Sequence, residues 1–264
     1  MSVQTIDPTT RRVPRIGGFN RTMLGIEMRR MLRNRRTIVF ALIFPTAMFF
    51  VFGSGSKGSD KLGHGLQGNV AAYVLVSMAL YGGALMAASG GAMVATERAL
   101  GWSRQLRLTP LNPLAYIGVK ALVAISMAGA SVLIVNAVGV LKRTPEMPTD
   151  IWIYCALLTL VCTATFAALG VFVGYLVPGE NVMQILGPGL ALLSFLGGLF
   201  IPLTQYSTVV RDIAYWTPMY GVAEVARAPL TTDLPWYAIV NAVGWFAIFV
   251  AGAAWRMSKD TARV

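Results

Sequence analysis

Two glycine-rich stretches could in principle hold a phosphate group. GHGLQG, Gly63 to Gly68, has the G-x-G-x-x-G spacing that lets a backbone approach a pyrophosphate, and GSGSKGS at 53–59 resembles a phosphate-cradling loop. Neither has the setting the chemistry needs. No strand or βαβ unit surrounds the first, and the second has Gly58 where a Lys followed by Ser or Thr must end the motif. His64 is the single histidine, so a multi-histidine metal site is excluded, and its place in a loop makes it a solvated residue. No Ser-His-Asp set and no paired carboxylates can be assembled into one site. Cys155 and Cys162 fall on one predicted helix, about 10.5 Å apart along its axis, too far for a disulfide. The chain is therefore expected to catalyse nothing itself, to bind no metal and no cofactor, and to lack an ATP site.

What must position the remaining polar residues is a set of apolar helices. Of the 264 residues 56% are apolar and 12% charged, about half the charge of an ordinary soluble domain. The segments 37–56, 62–96, 121–141, 151–179, 181–210 and 234–255 contain no Asp, Glu, Lys or Arg. Each can cross a hydrocarbon core of ~30 Å, which takes ~20 helical residues. The fold class expected is an all-α integral membrane protein with six transmembrane helices, at about 36–53, 70–95, 115–141, 151–177, 183–201 and 236–255.

An even number of crossings puts both termini on one side. On this topology sixteen of the 22 basic residues lie on the side of the termini, and the whole formal charge of +11 with them. Basic excess marks the cytoplasmic side, so N and C termini are expected in the cytoplasm, at a bacterial plasma membrane. The charge faces anionic lipid rather than nucleic acid. Arg11-Arg12 in an acid-poor N-terminus suggests a transit peptide or a twin-arginine signal, but no prompt apolar region or small-residue cleavage site follows.

The organisation expected is a flexible cytoplasmic arm at 1–18, an interfacial helix at 19–36, a six-span domain at 37–255 and a cytoplasmic tail at 256–264. In the interfacial helix Leu24, Met28, Met31 and Leu32 share one face, and Arg29, Arg33 and Arg36 the other, where they would anchor on the inner leaflet. The plainer alternative is an extension of the first span. YGGALMAASGGAM in span two and Gly170-x-x-x-Gly174 in span four allow close helix packing, within or between subunits. The spans hold almost no ionisable side chain, which argues against proton- or sodium-coupled transport.

Between spans two and three lies ERALGWSRQLRLTPLNPLAYIGVK, 97–120. Glu97 and Arg98 close an apolar span, Gly101 breaks it, WSRQLRL can form two helical turns, and Pro110 and Pro113 stop them. A short amphipathic helix held at the membrane face suits a groove on a soluble partner. This stretch resembles the first cytoplasmic loop of ABC-2-type permeases, particularly the daunorubicin-resistance-like exporters. In them an acidic-Arg pair, a Gly and a short helix running into Thr-Pro form a coupling helix docked on the ATP-binding subunit. Glu97-Arg98, Gly101, Leu106 and Thr109-Pro110 stand at those positions; Trp102 replaces a usual small Thr and Arg104 a common acid.

LGGLFIPLTQYSTVVRDIAYWTPMYGVAEVAR, 196–227, is similar to a second part of that family. Gly197-Gly198, Pro202, Thr217-Pro218, Glu224 and Arg227 match the order of a Gly-rich fifth span and two outer re-entrant helices, here within 202–230. Pro202 and Pro218 break helices, and Glu224 and Arg227, three apart, can pair. An ordinary external loop is the alternative.

The resemblance implies a permease subunit of an ABC exporter, paired with a second permease, identical or paralogous, and with two copies of an ATP-binding subunit that holds ATP and Mg2+. It implies docking through Glu97, Arg98, Gly101, Trp102, Leu106, Thr109 and Pro110. A pathway of aliphatic, Met and aromatic side chains suits an amphipathic or apolar molecule, such as a drug, lipid or secondary metabolite. A stand-alone transporter or channel, and a membrane anchor without transport, are the competing readings.

Overall fold

The computed structural model describes residues 21–53, 58–63, 67–101, 113–179 and 181–261, with the side chains of all of these but 36, 113–117 and 260–261. The arm at 1–18, His64, and Trp102, Leu106, Thr109 and Pro110 of the 97–114 loop lie outside the described residues.

Among the described residues the regular structure is helical, with one isolated bridge between Lys61 and Asn69. The helices are α1 Arg21–Leu32, α2 Arg35–Gly53, α3 Val70–Ala99, α4 Pro113–Lys142, α5 Thr149–Leu176, α6 Val182–Leu196, α7 Thr208–Ala214, α8 Pro218–Thr231 and α9 Trp236–Thr261. A 3-10 turn, Leu203–Gln205, lies between α6 and α7.

Local chemistry sets these boundaries. The Asn34 side chain accepts from the Thr37 amide at 3.4 Å and opens α2, so the helix expected over 19–36 is broken there. Asn69 caps α3 by accepting from the Ala72 amide at 2.9 Å, and it also donates to the Thr144 carbonyl at 2.7 Å, stitching the start of α3 to the α4–α5 turn. Gly101, at φ +69, ends α3 in the left-handed conformation, with its amide on the Arg98 carbonyl at 3.0 Å. Gly198, at φ +75, ends α6 likewise: its amide reaches the Phe195 carbonyl and the Leu199 amide reaches the Ser194 carbonyl, both bonds of a Schellman motif. Pro218 opens α8 at its first position, where no amide is missed.

α3 is the central helix, packed by α2, α4 and α5 and touched by α6 and α8; α9 packs on α5 and α8. The small residues work inside the subunit. A Cβ on Gly170 would collide with the Ala88 carbonyl, one on Gly91 with the Ala167 carbonyl, and one on Gly83 would come 2.8 Å from Thr163, so α3 and α5 approach backbone to backbone.

Pro45 lies inside α2 and has no amide to give the Ala41 carbonyl one turn back. The Ser131 hydroxyl of α4, wholly buried, donates to that carbonyl at 3.0 Å. Gly82 of α3 sits against the same joint, where a Cβ would come 2.7 Å from both the Ala41 oxygen and Ser131 Oγ.

The outer faces are apolar: Phe40, Ile43 and Val51 on α2, Leu157 and Val161 on α5, and Val240, Val243 and Ile248 on α9 are all exposed. A surface of this kind belongs in lipid. Four helices, α3, α4, α5 and α9, are long and apolar enough to cross a bilayer, and α1 with α2 makes a fifth candidate as a pair bent by 61°. The sequence leads one to expect six spans; α6 has 15 residues, or about 22 Å, short of the span expected over 183–201 because the Schellman turn stops it at Leu196.

Candidate functional site

At one end of the bundle α1 meets the C-terminus of α3 and the N-terminus of α4, the two roots of the 97–114 loop. Glu97 is 2% exposed and Lys120 3%. Lys120 Nζ donates to Glu27 Oε2 at 2.5 Å and also to Glu97 Oε1, which accepts as well from Arg30 Nη1 at 2.6 Å. Two carboxylates and two cations from three helices thus form one cluster, in which Glu27, Glu97 and Lys120 are buried and Arg30 stays partly exposed, and each charge has a partner.

Glu97, expected among the docking residues, is buried in the bundle and paired with Lys120 and Arg30. Arg98, half-buried, turns to the end of α5: Nη1 donates to the Gly174 and Tyr175 carbonyls at 3.4 and 3.2 Å, and its guanidinium lies 5.1 Å from the Tyr175 ring centre. Those carbonyls belong to the last turn of α5, where orphan acceptors and the helix dipole both favour a cation. Gly101 ends α3 as its position in the sequence suggests.

Arg29 on α1 and Arg33 in the turn just after it are exposed. Arg36 follows the break at Asn34 and belongs to α2 rather than to α1. On the inward side Met31 is buried and Met23, Leu24 and Met28 pack against the core, whereas Leu32 is exposed. Glu27, Arg30 and Lys120 are missing from the site read in the sequence. Glu27 had a signal: an acid between Ile26 and Met28 in an otherwise basic segment.

At the opposite end α8 is wedged among α3, α5, α6 and α9. Arg227 is 1% exposed and donates to Glu224 at 2.8 Å, the pair expected three positions apart. It also donates to the Gly198 carbonyl at 3.0 Å and to Ser77 Oγ at 3.3 Å, and it lies 4.4 Å from the Tyr73 ring centre. The left-handed turn after α6 thereby presents its carbonyl to α8. Pro202 precedes the 3-10 turn, and Pro218 starts a helix rather than only ending one.

Between α2, α3 and α6 runs a cleft of ≈ 470 Å³ lined by Phe40, Phe44, Tyr81, Leu85 and Met183, with Thr37, Ser89 and Gln184 toward the α1 end. A second cleft of ≈ 340 Å³, almost wholly apolar, lies between α4, α5 and α9 and reaches Lys120. No group of three His, Cys, Asp or Glu able to hold a metal occurs among the described residues.

Comparison with known proteins gives this architecture a family. The sequence profile described as ABC-2 type transporter matches residues 20–231, from the start of α1 to the end of α8. A Bacillus subtilis (strain 168) protein described as a transport permease, YvfS, is 26% identical over 237 residues, covering 85% of this chain and 91% of that protein. Helices fit for a bilayer, a helix lying across one end and a profile spanning both charged clusters agree: the chain belongs to the ABC-2 type transporter family.

Proposed function

We propose that this chain is the membrane-spanning permease subunit of an ATP-driven exporter of the daunorubicin-resistance-like kind. The profile match over residues 20–231 carries this reading, since it includes the 97–114 loop and the helices around it. In the working transporter two permeases, identical or paralogous, join two copies of a separate ATP-binding subunit that supplies the ATP and Mg2+ chemistry. The chain crosses the cell membrane six times, α2 and α6 being the first and fifth spans, with both termini in the cytoplasm. α7 and α8 are re-entrant helices that cap the outer side.

Trp102, Leu106, Thr109 and Pro110 contact the ATP-binding subunit, while Glu97 and Arg98 hold the roots of their loop in place. Arg29 and Arg33 meet anionic headgroups of the inner leaflet. The cleft between α2, α3 and α6 lies in the size range of small-molecule sites, ~300–1,000 Å³. Its aromatic walls, with hydroxyl and amide groups toward one end, suit an amphipathic molecule such as a drug, lipid or secondary metabolite.

Co-purification with the cognate ATP-binding subunit in mild detergent tests this reading. Wild type is expected to bring the subunit down with nucleotide present, and Trp102→Ala with Leu106→Asp to lose it while remaining folded. A wild-type chain that retains no ATP-binding subunit in any nucleotide state would overturn the proposal in favour of a stand-alone transporter or an anchor.

A further inference from the structure

The four charges at the α1 end present a physical puzzle. A buried ion cluster is a poor source of stability, because desolvation offsets most of the attraction, and apolar side chains of equal volume often do as well. What charges supply and apolar side chains do not is direction. Lys120 Nζ reaches Glu27 on α1 and Glu97 on α3 from its own place on α4, and Arg30 closes the figure from α1 back to Glu97. Each contact joins two different helices. Two of those helices are the roots of the 97–114 loop, and the third is the one that lies across the bundle end.

We infer that Lys120, Glu27, Glu97 and Arg30 are positioning residues that clamp α1 to both roots of the 97–114 loop. The amphipathic helix and the coupling loop then move as one body when the ATP-binding subunits close. This role rests on the function proposed above and assigns it a part that no docking residue performs. Without the clamp, motion of the loop would not be passed to α1 and, through it, to α2.

The test uses the full permease and ATP-binding complex in lipid nanodiscs. Spin labels go on Leu32→Cys, exposed in the last turn of α1, and Leu122→Cys on α4, in a background with Cys155→Ala and Cys162→Ala. Lys120→Met combined with Glu27→Gln removes one cation and one carboxylate together, and with them both ion pairs of Lys120, and leaves Glu97 balanced by Arg30, so the melting temperature is expected to stay within a few degrees of wild type. Lys120→Arg keeps the charge, and the apolar cleft beside Lys120 leaves room for the larger head.

Wild type and Lys120→Arg are expected to hold one narrow inter-label distance in both nucleotide-free and vanadate-trapped states. The double variant, still assembled, is expected to broaden or shift it on trapping. A double variant that keeps the wild-type distance in both states, or a wild-type distance that changes on trapping, overturns the clamp. Failure of the wild-type permease to bring down the ATP-binding subunit is seen earlier, at purification, and overturns the proposed function together with the clamp.

Discussion

Arg227 shows how one side chain can hold three elements. Its guanidinium joins α8 to the carbonyl after α6 and to Ser77 of α3, with the Tyr73 ring beneath it, while Nε has no hydrogen-bond partner among the described residues. Arg227→Met would break every one of these links and strand Glu224, which is partly exposed and so loses less than a wholly buried acid would. The expected cost is about 2–4 kcal/mol, read as a lower melting temperature in detergent. Arg227→Lys should recover under half of it, since a point charge cannot serve the carbonyl and the carboxylate from one planar fork. Full recovery by lysine would sink this account. At this scale the sequence was legible only over short separations. Glu224 and Arg227 announce themselves by lying three apart, whereas Ser77 and Arg227 are 150 positions apart and Glu27 and Lys120 are 93 apart. Nothing local says that such residues will meet.

Among the elements, the contact of α3 with α5 is set by glycines whose tolerances differ. A Cβ on Gly170 runs into the Ala88 carbonyl, but one on Gly174 stops 3.3 Å from the Ala92 carbonyl oxygen. Gly170→Ala should therefore force the helices apart at a cost of about 1–3 kcal/mol, with Gly174→Ala well below that. Unfolding both variants in the same detergent would decide it, and equal losses would overturn this steric account. The Gly-x-x-x-Gly spacing promised close packing but left its partner helix unnamed. Helix positions were legible from charge-free runs because lipid admits few charges. Helix ends were less so: LGGLFIP is apolar throughout, yet α6 stops at Leu196, since the left-handed turn at Gly198 is a matter of backbone rather than of hydropathy. The two-sided pattern of 19–36 likewise hid the break at Asn34, whose capping side chain counts for nothing in a periodicity.

For the whole molecule, the proposed orientation places the far end of α4 outside and the end of α3 inside. Leu141 and Leu100 are both highly exposed, one at each end. With Cys155 and Cys162 replaced by Ala, Leu141→Cys should react with a membrane-impermeant maleimide on intact cells, and Leu100→Cys only after permeabilisation; the reverse pattern would invert the topology. The joint at Pro45 adds a constraint on how such a molecule is made. When α2 enters the membrane, the Ala41 carbonyl has lost its helical donor and Ser131 has not yet been synthesised. An unpaired carbonyl in hydrocarbon costs several kcal/mol. Until α4 packs beside it, α2 keeps one carbonyl unpaired in lipid, and the donor that completes it is a serine 90 residues downstream.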